Sequence, residues 1–307
     1  MTNYRDAGLF LALAAVWGSA FVAIKAGLNA GFEPVLFAAV RYDIAGVLML
    51  AYAAYVADRW LPQSRADWTV VGIAAVLMIA AYHAFLFVGE TNPHVTSAVA
   101  AVGISLGPVL TTGFARAFLP AERLSVGGIA GLLLGLVGVV VLSNPDPSNL
   151  LGKSTVGVML VFTAAACFAL GSVLMQRVDD DLSIETMEAW AMLLGALLMH
   201  GLSLGLGETQ AVPTNWDALI SIAYLSVAAS AAGFLVYFEL LDRLGPIEIN
   251  LVSYVAPVFA AVVGLLLLGE PITVYTAGGF VVIFAGFCLL KRRALADELG
   301  KVRTSWA

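Results

Sequence analysis

Ten stretches of this chain run for about twenty residues with scarcely a charge, the length an α-helix needs to cross the roughly 30 Å hydrocarbon core of a bilayer. They fall at residues 7–27, 35–57, 68–89, 95–118, 124–143, 154–176, 186–206, 216–241, 247–268 and 272–290, joined mostly by short connections. Continuous runs of this kind exclude a transmembrane barrel, whose strands alternate and are about ten residues long. A soluble domain is excluded as well. Of 307 residues, 61% are hydrophobic and 12% charged, whereas a soluble domain has about a quarter charged residues and cannot enclose this much apolar surface in one core. The net charge of -6 arises from acids in the connecting segments and describes loops rather than a ligand. Cys167 and Cys288 lie inside apolar runs, so no disulfide framework is expected. The first run is as long as a full span and lacks a small-residue cleavage site, so it is read as a span rather than a signal peptide.

The chain also repeats itself. Glu122, Leu124, Ser125, Val126, Gly131, Gly138 and Leu142 stand against Glu270, Ile272, Thr273, Val274, Gly279, Gly286 and Leu290 at a constant offset of 148 residues. Upstream of each acid an apolar run contains one proline, Pro108 and Pro257. A repeat of this span divides the chain into residues 1–148 and 149–307. Five runs separate equivalent positions, an odd number, so the halves are expected to enter the membrane with opposite orientation. Inverted halves are the architecture of many secondary transporters, because rocking one against the other exposes a central site to each side in turn. The expected fold is therefore an all-α integral membrane protein with ten transmembrane helices in two inverted five-helix repeats.

Orientation follows from Lys and Arg. With the N-terminus in the cytoplasm, that side receives twelve of the fifteen cations, from Arg5 through Arg59, Arg65 and Arg243 to the Lys291-Arg292-Arg293 tail, and the other side only Lys25, Arg41 and Lys153. The expectation is a multi-pass protein of the cell inner (plasma) membrane with both termini cytoplasmic.

Trp17-Gly18-Ser19-Ala20-Phe21-Val22-Ala23-Ile24-Lys25, then Ala39-Val40-Arg41-Tyr42, Ala81-Tyr82-His83, Val88-Gly89-Glu90, Val95-Thr96-Ser97-Ala98, Leu106-Gly107-Pro108-Val109 and Gly269-Glu270-Pro271-Ile272 run through both halves. In these segments the chain resembles the EamA family of the drug/metabolite transporter superfamily. The resemblance implies a permease that exports a metabolite such as an amino acid, sugar, purine or drug. Two departures stand out: Leu119-Pro120-Ala121-Glu122 is a looser form of the Gly-Glu motif, and Asp43 is an unusual acid after the arginine.

Ionisable groups at membrane depth cost about 2.5 to 3.5 kcal/mol each on insertion scales, so each needs a partner, a cavity or a route to the interface. Lys25 and Arg41 either snorkel outward, or Arg41 pairs with Asp43 or Glu33 while Lys25 faces the solute path. His83 and Glu90 lie two helical turns apart on one face and suit a solute or a proton. A metal site of His83, Glu90 and His94 is conceivable on spacing, but Asn92-Pro93 breaks the helix between the ligands and no fourth ligand presents itself. Tyr237 and Glu239 come late in the eighth run, and Asn250 and Tyr254 share a face ahead of Pro257. The prolines free carbonyls at Ile104, beside Ser105, and at Ser253, and paired irregularities in the two halves point to a binding site. Glu122 and Glu270 are read as caps opening the last helix of each half.

The reading is a permease that moves a small amphipathic or zwitterionic solute through a cavity lined by Trp17, Ser19, Tyr82, His83, Ser105, Tyr237, Asn250 and Tyr254. Lys25, Arg41, Glu90 and Glu239 are candidates for coupling or gating. The expected partners are a small-molecule solute and the lipid bilayer, without nucleic acid, metal or cofactor, and a monomer is compatible with them. Two alternatives stay open: an uncoupled facilitator of the same fold, and an intramembrane lipid-modifying enzyme using His83 and Glu90, for which no nucleophile-base pair is recognisable.

Overall fold

The computed structural model describes residues 4–118, 126–144, 152–244, 249, 252–290 and 292. Among the described residues there is no strand, and helix follows helix. We number them α1 (Tyr4–Asn29), α2 (Pro34–Val56), α3 (Arg65–Ile73, a π-helical Ala74–Ala81, then Tyr82–Glu90), α4 (Ser97–Ile104 and Gly107–Phe118) and α5 (Val126–Ser143). There follow α6 (Lys153–Met175), α7 (Ile184–Leu206), α8 (Trp216–Ala223, a π-helical Tyr224–Ala232, then Gly233–Leu244), α9 (Val252–Leu268) and α10 (Val274–Leu290). Seven of these are long and apolar enough to cross a membrane, and α5, α9 and α10 supply shorter apolar helices. The molecule is an all-helical membrane protein.

The helix ends are written locally. Ser64 and Asp67 form a reciprocal capping box at the start of α3, Thr96 accepts from the Val99 amide ahead of α4, and Asn215 accepts from the Ala218 amide ahead of α8. Each satisfies amides that the helix itself leaves open. Gly207 closes α7 at φ 75°, a left-handed conformation that glycine adopts without penalty.

Between helices in a bilayer there is little hydrophobic driving force, so close approach relies on small residues. At the α5/α10 seam the repeated glycines meet each other. A Cβ on Gly138 would lie 3.1 Å from the Gly279 carbonyl oxygen and 2.9 Å from the Ile283 amide nitrogen, and one on Gly286 would lie 2.7 Å from the Gly131 carbonyl oxygen. Early α5 thus faces late α10 and the reverse, so the two helices run antiparallel. Elsewhere α2 packs on α7, α1 on α8 and α9, and α6 on α3 and α4. Tyr42, Phe37, Phe87, Met192 and Met199 are fully buried, whereas Leu133 and Val137 on α5, Leu197 on α7 and Leu266 and Leu267 on α9 point outward. That outward ring is what lipid would cover.

The two ends of the bundle are pinned differently. At the near end, where α1 begins, Arg5 meets Glu239 at 2.8 Å and Arg243 meets Asp6 at 3.1 Å, joining α1 to α8. The α2–α3 connection is held to α7 by Thr186 Oγ1 donating to the Arg59 carbonyl and Trp190 Nε1 donating to the Trp60 carbonyl, each at 3.0 Å. At the far end, Glu208 accepts from the Val35 and Leu36 amides at 3.0 and 2.9 Å and so caps α2 from the α7–α8 connection.

The seam is predicted to be intolerant of a single methyl. Gly138→Ala pushes backbone against backbone and is expected to destabilise by about 1–3 kcal/mol, while Gly201→Ala, at a site with nothing within 4 Å, is expected to be neutral or to stabilise by up to about 1 kcal/mol. Thermal unfolding of the detergent-solubilised variants checks the contrast.

Candidate functional site

Arg41 enters the bundle two turns inside α2 and is only 7% exposed. Its Nε donates to Ser230 Oγ at 3.1 Å. Among the described residues no carboxylate lies within ion-pairing distance of it, and Asp43 meets His200 at 2.8 Å instead. The guanidinium neither snorkels nor pairs with Asp43. It is a buried cation that donates to one neutral hydroxyl and lies over the Tyr42 ring at 5.0 Å, and a guanidinium offers five donors in a fork suited to carboxylate or phosphate.

Beside it, Tyr42 and His83 form a closed unit. His83 Nδ1 donates to the Ile79 carbonyl at 2.8 Å, which leaves Nε2 to accept from the Tyr42 hydroxyl at 2.7 Å. Both ring nitrogens are used, so this histidine holds the wall in place. Tyr82 stands in front of it, edge-on with ring centroids 4.4 Å apart, and reaches Phe168 of α6 at 5.4 Å.

Across the interior, Trp17 of α1 packs on Tyr237 at 5.4 Å and Phe234 at 5.8 Å. Its Nε1 donates to the Ala229 carbonyl at 3.0 Å. Ser19 lies next to Tyr224, whose hydroxyl donates to the Val16 carbonyl at 2.9 Å. Ile79 and Ala229 are each the sixth residue of a π segment. Here the corresponding carbonyl in α3 and in α8 takes a ring N–H.

The remaining sequence candidates lie elsewhere. Ser105 is fully buried with its hydroxyl turned onto the Val102 carbonyl at 2.7 Å, at the break in α4 before Pro108. Tyr254 packs against Phe284 and Phe287 of α10. Asn250 and Glu122 lie outside the described residues. Glu239 belongs to the near-end ion pairs with Arg5 and Arg243.

Lys25 and Glu90 meet at the far end. Lys25 Nζ donates to the carbonyls of Glu90, Asn92 and Val95 at 2.6, 3.0 and 3.0 Å, so its three N–H groups close off the end of α3. Glu270 differs from its expected role. It accepts from the Ser97 amide at 2.9 Å and caps α4, while Thr273 caps α10 by accepting from the Thr276 amide. The loop acid reaches a neighbouring helix because Gly264, whose added Cβ would lie 2.6 Å from Glu270 Oε2, leaves room for it.

Sequence reading missed Glu188, Ser230 and both π segments. Glu188 sits one turn inside α7, with Oε2 buried and without a hydrogen-bond partner, within electrostatic reach of Tyr42 and Tyr237. The signal was present, an acid inside the 186–206 run, and the rule that marks Glu90 marks it too. The π segments contain neither proline nor glycine. The room for the α3 segment comes from other helices, Gly171 against Leu77 and Met78 and Gly195 against the Ala75 carbonyl.

Helices that bury a guanidinium and aromatic hydroxyls at membrane depth, inside a ring of outward aliphatics, define a polytopic membrane protein with a polar interior. The EamA-like transporter family matches residues 7–144 and again 155–292, and the chain belongs to that family. It is 27% identical to an uncharacterized transporter of Archaeoglobus fulgidus, covering 90% of this chain and 95% of the relative. It is also 27% identical to the inner membrane transporter YedA of Escherichia coli, covering 87% and 84%. A chloroplastic WAT1-related protein of Arabidopsis thaliana is 28% identical over 83% of this chain and 61% of its own length. A solved crystal structure superposes with a TM-score of 0.64 at 21% identity over 97% of this chain and 99% of the other, a likeness of fold.

Removing the Tyr42 hydroxyl leaves His83 Nε2 buried without a donor. Tyr42→Phe is therefore expected to destabilise by about 1–3 kcal/mol, read as a lowered melting temperature, whereas Tyr52→Phe, whose hydroxyl lies outside this unit, is expected to change it little.

Proposed function

We propose that the chain is a secondary transporter working by alternating access between two inverted five-helix halves, residues 1–148 and 149–307, with both termini cytoplasmic. The observation that carries this is the α5/α10 seam: the two copies of the repeated segment meet antiparallel through their own repeated glycines. Replacing each helix by the one five later turns the packing of α1 on α8 and α9 into that of α6 on α3 and α4. The same exchange returns α2 with α7 and α5 with α10 to themselves, as a two-fold axis in the membrane plane requires. The corresponding π segments in α3 and α8 agree with it.

On this reading the near end faces the cytoplasm and the far end is shut. Both halves of α4 pack on α6, α5 and α10, but the far half, Ser97–Ile104, packs on α9 and α1 as well. The far ends of α4 and α9 thus close together.

The solute class follows from the interior. Trp17, Ser19, Tyr82 and Tyr237 offer aromatic faces and hydroxyls to a small amphipathic metabolite, with His83 as support behind Tyr82. Arg41, with no carboxylate within ion-pairing distance among the described residues, supplies the site for an anionic group such as a carboxylate. That relatives are named transporters agrees with a carrier rather than an enzyme.

Counterflow in proteoliposomes, with labelled amino acids and other carboxylate-bearing metabolites as probes, tests the reading. A charge-assisted hydrogen bond of about 1.5–3 kcal/mol predicts that Arg41→Ala lowers exchange of the transported probe about ten- to a hundredfold, with Arg41→Lys intermediate. No exchange of any probe by the folded wild type, or unchanged exchange by Arg41→Ala, contradicts it.

A further inference from the structure

Four oxygen atoms at the far end are buried without a hydrogen-bond partner among the described residues: both carboxylate oxygens of Glu90, Oε1 of Glu270 and Oγ of Ser97. Glu90 and Ser97 are each 0% exposed. Glu90, Glu270 and Lys25 lie within electrostatic reach of one another. Yet the ammonium gives its three donors to the carbonyls of Glu90, Asn92 and Val95, and neither carboxylate receives one. A carboxylate that is fully buried and receives a donor on neither oxygen is unfavourable in its ionised form, and that is the state of Glu90 among the described residues.

The groups that reach Glu90 from its neighbours are Lys25 of α1, Arg41 of α2 and Glu270 of the α9–α10 connection. From α6, Gly157, Leu160 and Val161 face the adjoining Gly89, and His94 of the α3–α4 connection is exposed. A metal cation beside an ammonium is repelled, and three of the four free oxygens belong to carboxylates. A proton neutralises the Glu90 carboxylate and, as an O–H, gives it a donor of its own in addition to the Ser97 hydroxyl of the cluster.

We propose that Glu90 is a proton-binding site that latches the outer end of the transporter. Closing that end takes one proton from the outer water, forming an O–H bond on a Glu90 carboxylate oxygen, and opening it breaks that bond and returns the proton. The inference rests on the far end being the outer gate of the transporter proposed above. External acid then favours the closed outer end, with a closed-to-open ratio that changes by up to about tenfold per pH unit.

The test uses full-length protein with Cys167→Ala and Cys288→Ala, spin-labelled through Thr91→Cys and Ile272→Cys on the two connections that meet at this end, in phosphatidylethanolamine/phosphatidylglycerol nanodiscs. Pulsed electron-electron distances are expected to shift toward the short, closed population as pH falls, and Glu90→Gln is expected to hold that population at every pH. Populations indifferent to pH, a Glu90→Gln protein that titrates like wild type, or the same shift produced by replacing choline with sodium at fixed pH each overturn the proposal. Should Glu90→Gln fail to fold, infrared spectra of the wild type decide: a protonated-carboxyl C=O band that grows with the closed population supports it, and its absence overturns it. These readouts need no solute, so they fail or succeed separately from the counterflow assay.

Discussion

The contact on which the architecture depends is backbone against backbone at the α5/α10 seam. Where side chains cannot gain by leaving water, helices associate through van der Waals contact, and that contact is closest where no side chain intervenes. Gly131, Gly138, Gly279 and Gly286 provide such a surface, and each meets the partner on the opposite copy. At this seam a segment packs on its own duplicate in antiparallel fashion. The proposed inversion, and the gating that follows from it, extends from this seam.

Within that frame the polar interior rests on two widened helices. In the π segments of α3 and α8 the corresponding carbonyls, of Ile79 and Ala229, each accept a ring N–H. One contact fixes His83 and through it Tyr42; the other fixes Trp17. Aromatic side chains of the candidate site are therefore held by backbone carbonyls, and the Arg41 guanidinium donates to Ser230 and lies over the Tyr42 ring at 5.0 Å. The far end is bound by a second economy of donors. Lys25 terminates α3 and Glu270 starts α4, so the connection between these helices is gripped from α1 and from the α9–α10 connection together.

Much of the fold was legible in the sequence because bilayer thickness imposes a length on every apolar run, and because duplication leaves a constant offset between glycines. Trp17, Ser19, Tyr82 and Tyr237 were legible as aromatic and hydroxyl groups at depth. The partners of the charges were not. Arg41 has Asp43 near in sequence, yet in α2 residues two apart point to different sides, and Asp43 meets His200 of α7 instead. Glu270 precedes α10 and reads as its cap, but the space beside Gly264 lets it reach α4. The π segments left no mark of their own, since the room for the α3 segment is made by Gly171 and Gly195 on other helices. Tyr254 shares a face with the approach to Pro257 but spends its ring on α10.

Opposed orientation of the halves is the central claim, and accessibility of two equivalent connections measures it most directly. Asp58, between α2 and α3, and Thr209, between α7 and α8, are both exposed. In intact cells expressing protein without native cysteines, a membrane-impermeant thiol reagent is predicted to label Thr209→Cys and to reach Asp58→Cys only after permeabilisation. Labelling of both from the same side of the membrane contradicts the account.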